Sequence, residues 1–448
     1  MLNRIFNFYK TGENKPLFSD DQNKIKKVYE QKRLSVFLTI TIGYGLFYLC
    51  RLSFSVVKKP LLDAGIMNAE EMGIIGSGLF ISYAVGKLLN GFLADRSDIR
   101  KFMSTGLMIS AIMNLLLGLT TYFWFFLIIW IINGWFQSMG SAPSVVSISH
   151  WFSNKERGTR YGIWSIGHSL GEGLTFIGTA TLVSLLGWRF GFIGPGLVCI
   201  IVALLMLLFH ADRPQTYGLP HISDYKKDYS ALSSGKKSTG KLQLEVLKNP
   251  YIIILGFSSA LMYVARYAIN NWAILYMQEA KGYELIAAGS ILSAYPIMGL
   301  LGAASSGWIS DKFFNSKRNI PTLLYGLLQV STLIMFFIIP PGYQYLDMIA
   351  LSFFGFALGG QLVFIGGLIA VDISSKKAAG AAMGVIGVFS YIGAAIQDWI
   401  SGHLIHASKI IINGKDVYNF DSAFYFWIGA SIVSLILACC VWNAKAKE

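Results

Sequence analysis

The chain has 448 residues, of which 54% are hydrophobic and only 14% charged, with a mean hydropathy of +0.53 and a formal net charge of +13. A soluble chain of this length carries far more polar residues, so the composition excludes that class and leaves a polytopic membrane protein. The positive excess calls for no nucleic acid, because Lys and Arg collect in the cytoplasmic loops of such proteins.

In chain order, residues 1–33 come first, carry eight Lys and Arg, and are too polar for a cleaved leader. The first apolar run is therefore expected to be a retained helix. Runs long enough to span a bilayer follow at roughly 34–57, 72–94, 103–121, 123–147, 160–185 and 188–209. A polar connector is expected at 210–250. Six more runs occupy roughly 251–279, 284–310, 320–340, 345–371, 380–405 and 421–443, and 444–448 is a short tail. Counted loop by loop, 28 cations fall on the side of the termini. Six fall opposite, Lys58, Lys59, Arg189, Lys281, Lys409 and Lys415. Both termini are thus expected in the cytoplasm of a bacterial inner membrane. The four cysteines, Cys50, Cys199, Cys439 and Cys440, lie in apolar runs without metal-ligand spacing and read as small core residues. Neither a metal nor a cofactor is expected.

Three cations, Arg51, Lys87 and Arg266, sit inside the apolar runs. A charge at membrane depth is costly unless it faces a watery cavity or a partner, so three positives together ask for an anion. A phosphate monoester carries nearly two charges and three acceptor oxygens, which a guanidinium fork suits best. Tyr44, Tyr48 and Arg51 share one helical face in span 1, and Tyr263, Arg266 and Asn270 repeat the pattern in span 7. His168, with Ser165 and Gly171 on one face of a glycine-rich helix, is expected to point into a cavity and hydrogen-bond phosphate.

Internal repetition divides the chain in two. GFLADRSDIRK at 91–101 is echoed by GWISDKFFNSKR at 307–318, with Gly91 and Gly307 216 apart and Arg51 and Arg266 215 apart. Gly158, Gly162 and Gly171 precede Gly380, Gly384 and Gly393 by 222. Two six-helix bundles descended from one unit, with a binding site between them, make an all-α membrane protein of twelve transmembrane helices, the major facilitator arrangement. The loops holding Asp95 and Arg96, and Asp311 and Lys312, resemble that superfamily's cytoplasmic signature, whose charges lock neighbouring helix ends in one state.

The strings YGLFYLCRLSFS, YAVGKLLNGFLADRSDIRKF, NGWFQSMGSAP, HWFSNKERG with WSIGHSLG, DRPQTYGLP and NPYIIILGFSSALMYVARYAINNW narrow this further. Together they resemble the organophosphate:phosphate antiporters, which include hexose-phosphate and glycerol-3-phosphate carriers and a hexose-phosphate sensor. The resemblance implies that Arg51 and Arg266 bind phosphate, with Tyr44, Tyr48 and Tyr263 in the cavity. It carries His168, Lys87, Gln137 and Tyr391 to the cavity wall. Asn270, Asn271 and Gln361 are candidate readers of sugar hydroxyls. Glu172 departs from the family's usual glycine, Leu52 from its usual Lys, and Asp398 is a second buried acid; either acid could balance charge or partner Lys87.

The expected function is exchange of a sugar phosphate, hexose 6-phosphate first, for inorganic phosphate by a monomeric carrier. Closing an empty cavity around two unpaired arginines is expensive, which favours exchange over uniport. A receptor signalling to a membrane kinase, a glycerol-3-phosphate carrier and a proton-coupled symporter using Glu172 or Asp398 are the alternatives. An enzyme is not expected, because no nucleotide loop, metal cluster or nucleophile and base pair lies outside the apolar runs.

Overall fold

The computed structural model describes residues 7–228, 248–315, 317–373, 379–412, 415–442 and 444. Twelve helices are long and apolar enough to cross a bilayer: Gln22–Asp63, Ala69–Ala94, Ile99–Leu119, Phe123–Trp151, Asn154–Leu186 and Phe190–Phe209, then Pro250–Glu279, Leu285–Phe313, Asn319–Ile338, Gln344–Leu368, Ala382–Ala407 and Asp421–Cys440. They are spans 1 to 12, and each of the twelve expected runs falls on one of them. Large apolar side chains such as Leu185, Ile201, Leu208, Phe257 and Ile436 lie exposed on their outer faces, where lipid replaces water as solvent.

Helix ends follow local chemistry. Asn68 and Glu71 form a reciprocal capping box at the start of span 2, Ser153 and Glu156 do so for span 5, and Asn249 caps span 7 ahead of Pro250. Span 1 begins at Gln22, capped by Asp21, twelve residues before the apolar run. Its polar first turns are held by Arg33, which bonds Glu30, Glu156 and the Trp151 carbonyl.

The duplication is visible in how the helices cross. A Cβ on Gly171 would sit 2.0 Å from the Gly45 carbonyl oxygen, and one on Gly393 would sit 2.2 Å from that of Ala260. Gly45 and Ala260 are 215 apart, the spacing of the two arginines. Gly134 meets the Leu79 carbonyl at 2.4 Å and Gly355 meets that of Tyr295 at 2.0 Å, with Leu79 and Tyr295 216 apart. Spans 1/5 and 7/11, and spans 2/4 and 8/10, therefore touch backbone to backbone at the same places in both halves.

Between the halves, contact concentrates away from the termini. Gly73 packs on Gly402, Ser77 Oγ donates to the Ala395 carbonyl at 2.7 Å, and Ser293 Oγ donates to the Gly173 carbonyl at 2.9 Å. Lys59 pairs with Glu279 at 2.6 Å, and Glu70 lies 3.2 Å from His403. On the terminal side, Gly91, Gly158, Gly162 and Gly307 have no described atom within 4 Å of a would-be Cβ. The halves are closed at the end opposite the termini and apart at the end carrying the termini.

The connector after span 6 folds onto the first half up to residue 228. Asp212 Oδ1 accepts from the Ile99 amide at 3.0 Å, Trp151 Nε1 donates to the Asp212 carbonyl at 3.0 Å, and Tyr225 stacks on Tyr29 at 3.9 Å. Gly218, at φ 68°, allows the turn that pairs this loop with Phe18. The stretch SSGKKSTGK and the loop near 376 lie outside the described residues. Two expectations change. First, the loop between spans 11 and 12 contains a hairpin, β1 (Lys409–Ile412) with β2 (Lys415–Tyr418). Second, Cys440 is exposed rather than core, whereas Cys50 and Cys199 are buried.

Candidate anion site between the two halves

Span 1 breaks its helical pattern where Arg51 stands. Tyr48 N–H and Arg51 N–H donate three residues back, to Gly45 and Tyr48, and the Cys50 carbonyl is taken by Asn114 Nδ2 at 3.0 Å and Asn133 Nδ2 at 2.9 Å. Side chains inserted into a helix ladder kink it, so spans 3 and 4 fix the direction of Arg51. Gln137, one turn beyond Asn133 on span 4, accepts from Arg51 Nε at 3.3 Å. The guanidinium lies over the rings of Tyr83 at 4.3 Å and Tyr48 at 4.8 Å. Arg51 is 4% exposed, and its Nη1 and Nη2, with Gln137 Nε2, have no hydrogen-bond partner among the described residues.

Arg266 on span 7 is 7% exposed. Nη1 donates to the Tyr263 hydroxyl at 3.5 Å, Nη2 lies 3.8 Å from Glu172 Oε2, and Nε has no partner among the described residues. Rings join the two arginines. Tyr83 lies 4.5 Å from Tyr391, which lies 5.6 Å from Tyr263 and 6.3 Å from Tyr267, and these last two stack under Arg266 at 5.4 Å each. Lys87 Nζ is 5.0 Å from the Tyr391 ring and has no carboxylate partner among the described residues. His168 lies 5.7 Å from the Tyr48 ring, and Tyr44 packs on Trp164 at 4.7 Å.

A cavity of about 470 Å³ opens between spans 5, 7, 8, 10 and 11, bordered by His168, Glu172, Arg266 and Tyr295. Its volume suits a small organic ligand. Span 10 switches to a π-turn at Phe364–Leu368, where Gly366 and Gly367 line the cavity. Arg51 instead borders a crevice of about 10 Å³ shared with Lys58, Asn271 and Asp398. In this state the two arginines face one aromatic cluster from opposite sides rather than one open chamber.

The remaining candidates separate. Asn270 Nδ2 donates to Glu172 Oε1 at 2.5 Å, and Asn271 Nδ2 to Asp398 Oδ2 at 3.0 Å. Gln361 is 3% exposed and turns away from the cavity, its amide against Gly326 of span 9. Asp95 and Arg96 are exposed, Asp311 pairs with Arg318 at 2.7 Å, and Lys312 lies over Trp308 at 4.9 Å. Among the described residues, Asp95, Arg96 and Lys312 are joined to the other half by no ion pair.

Two cations expected in loops are buried, Lys58 inside span 1 and Lys281 in the loop between spans 7 and 8. Lys58, 1% exposed, lies 3.8 Å from Asp398 Oδ1 and 3.3 Å over the Trp272 ring, and Trp272 Nε1 donates to Asp398 at 2.6 Å. Its seven-residue offset from Arg51, two helical turns on one face, was the available signal. Lys281 pairs with Asp347, which also accepts from Tyr283 at 2.7 Å. Tyr83, Tyr267 and Tyr295 were also missed; Tyr83 stands one turn before Lys87, and Tyr267 adjoins Arg266.

The Major Facilitator Superfamily profile matches residues 40–397, and the chain belongs to that superfamily of transporters, not to an enzyme family. Its fold resembles a bacterial homologue of the lysosomal transporter Spinster in an inward-facing, unoccupied conformation, with a TM-score of 0.73 at 17% identity over 92% of this chain and 97% of that one. The chain is 35% identical to the membrane sensor protein UhpC of Salmonella typhimurium, over 88% of this chain and 90% of that one. It is 34% identical to a Chlamydia pneumoniae protein named "Probable hexose phosphate transport protein" (96% and 95%), and 33% identical to the glycerol-3-phosphate transporter of Bacillus subtilis (95% and 96%). Within the superfamily, the chain belongs to the organophosphate:phosphate antiporter family.

Proposed function

We propose that the protein exchanges a sugar phosphate, hexose 6-phosphate first, for inorganic phosphate across a bacterial inner membrane, with both termini in the cytoplasm. One observation carries the reading: Arg51 Nη1 and Nη2, Gln137 Nε2 and Arg266 Nε are all buried nitrogen donors without an acceptor among the described residues. Buried donors left unmade are costly, and these four, three of them on guanidinium groups, are complementary to an acceptor-rich anion. Arg51 comes from the first half and Arg266 from the second, so a phosphate held by both draws the halves together. Tyr48, Tyr83, Tyr263, Tyr267 and Tyr391 supply faces for the cations and hydroxyls for the cargo. The Lys and Arg surplus on the terminal side supports cytoplasmic termini, and the state described is then open to the cytoplasm.

The test is counterflow. Proteoliposomes loaded with phosphate are expected to take up labelled glucose 6-phosphate faster than glycerol 3-phosphate or phosphoenolpyruvate, and absence of phosphate exchange refutes the reading. A receptor is the second reading, favoured by the 35% identity to UhpC; binding of hexose phosphate without flux in the same vesicles would select it.

A further inference from the structure

Glu172 belongs to span 5 of the first half, yet both its carboxylate oxygens engage the second. Oε1 accepts from Asn270 Nδ2 at 2.5 Å, and Oε2 lies 3.8 Å from Arg266 Nη2. The side chain is 2% exposed and is the one acidic residue among the described residues bordering the 470 Å³ cavity. The other buried acid nearby, Asp398, is engaged by Lys58, Asn271 and Trp272. Arg51 has no carboxylate within ion-pair distance among the described residues; its neighbours are Gln137 and two tyrosine faces. The repeat-related arginines are therefore electrically unequal.

We propose that Glu172 is a built-in counter-anion for Arg266 that lets the carrier change sides without cargo, so that exchange is accompanied by net flux. The inference rests on the phosphate-exchange reading above and adds to it the residue that sets how strict the exchange is.

A carrier with two naked guanidinium groups must occlude both when it reorients empty, and an uncompensated buried charge opposes that step. Here one of the two already has a carboxylate beside it, delivered from the opposite half, so it forms a bridge between halves like the one cargo makes. The approach of 3.8 Å is looser than a direct charge-assisted bond of about 2.7–2.9 Å. A phosphate oxygen can therefore displace Oε2 from Arg266 while Asn270 retains Oε1. A ligand shifts a conformational equilibrium only by its differential affinity for the two states. An internal anion that favours closure without cargo narrows the difference cargo can make. Removing the charge should tighten phosphate binding, slow the empty return and make exchange stricter.

The experiment uses the full chain in proteoliposomes loaded with radiolabelled inorganic phosphate. Efflux is measured into medium containing phosphate, which reads exchange, and into phosphate-free medium, which reads net flux. The wild type is expected to show net efflux above protein-free vesicles. Glu172→Gln keeps an acceptor for Asn270 without the charge, and Glu172→Gly removes both. Each is expected to retain exchange and lower the net-to-exchange ratio on the order of tenfold, about 1.4 kcal/mol of coupling. An unchanged ratio in both variants, with exchange intact, overturns the proposal. Loss of exchange in both, with or without phosphate binding, also overturns it, because Glu172 would then serve the loaded carrier. Failure of the wild type to exchange phosphate at all strikes instead at the function proposed above.

Discussion

Arg51→Lys separates the shape of the anion site from its charge. A guanidinium presents five N–H donors in a fixed fork. In this protein Nε is committed to Gln137 at 3.3 Å, which leaves Nη1 and Nη2, both buried without a partner, for cargo. The lysine ammonium has three donors on a flexible stem, and Gln137 and the faces of Tyr48 and Tyr83 still compete for it. Losing one of two parallel charge-assisted bonds costs about 1.5–3 kcal/mol. At 1.4 kcal/mol per decade that is a roughly 10- to 150-fold loss of phosphate affinity. Because the loaded step of exchange scales with phosphate occupancy, exchange at subsaturating phosphate should fall by the same factor. The assay is exchange against phosphate concentration in proteoliposomes, with the melting temperature in detergent reporting the fold. Exchange within twofold of wild type, from a protein with unchanged melting, would refute the claim that the fork itself grips the phosphate.

Asp398→Asn should favour opening of the outer end, because Lys58 loses its buried counter-charge, a penalty of about 3–5 kcal/mol; labelling of a cysteine placed in the outer crevice reads it, and Lys58→Met added to Asp398→Asn should reverse the change. Gly171→Ala would put a Cβ 2.0 Å from the Gly45 carbonyl oxygen and should cost about 1–3 kcal/mol in melting experiments. Gly91→Ala, with no described atom within 4 Å, is the silent control. On the terminal side, burial lifts the Asp212 carboxyl to about 6. A carboxyl raised in the folded state contributes stability that is complete below its unfolded value and is lost as pH rises through about 6, up to about 3 kcal/mol for a shift of this size. Asp212→Asn keeps an acceptor for the Ile99 amide. It should raise the melting temperature at pH 7.5 and flatten its fall between pH 4 and pH 7, and an unaltered profile would count against it.

Twelve spans and the duplication were legible because both rest on long-range patterns, apolar length and repeat spacing, that tolerate errors of a few residues. The arginines were legible because nothing else excuses a guanidinium in an apolar run. Lys58 was not, since it closes an apolar run and looks the same in sequence whether it reaches water or turns inward to Asp398. The polar start of span 1 was missed for the opposite reason: Gln22–Arg33 is helical through its Asp21 cap and the Arg33 contacts, neither of which raises hydropathy. The strands Lys409–Ile412 and Lys415–Tyr418 are too short to register as apolar runs of bilayer length, so the hairpin was not legible. Gln361 carried the right chemistry on the wrong face, and helical phase within a glycine-rich run of similar apolar content cannot be fixed from one sequence.

The outer closure and the anion site form one device. Spans 1, 2, 7 and 11 carry Lys58, Gly76, Trp272 and Asp398 to one point, where a Cβ on Gly76 would overlap Asp398 Oδ2. That point shares its crevice with Arg51. Opening the outer end must part Lys58 from Asp398 beside the very guanidinium that the proposed cargo neutralises, so cargo and gate act on one local field. Between the halves, the outer closure otherwise rests on glycine crossings, a few hydrogen bonds and the Lys59 to Glu279 pair, contacts that can be exchanged for others. On the terminal side Asp95 and Arg96 are exposed, and Asp311 is held within its own half by Arg318. Alternation is cheap if the charges idle at one end pair across the halves when those at the other end separate. A state open at the other end should therefore join Asp95, Arg96 or Lys312 to partners on the opposite half, and cross-linking cysteine pairs at these positions would trap it. Failure of every such pair to cross-link during turnover would mean that the terminal side closes by some means other than these charges.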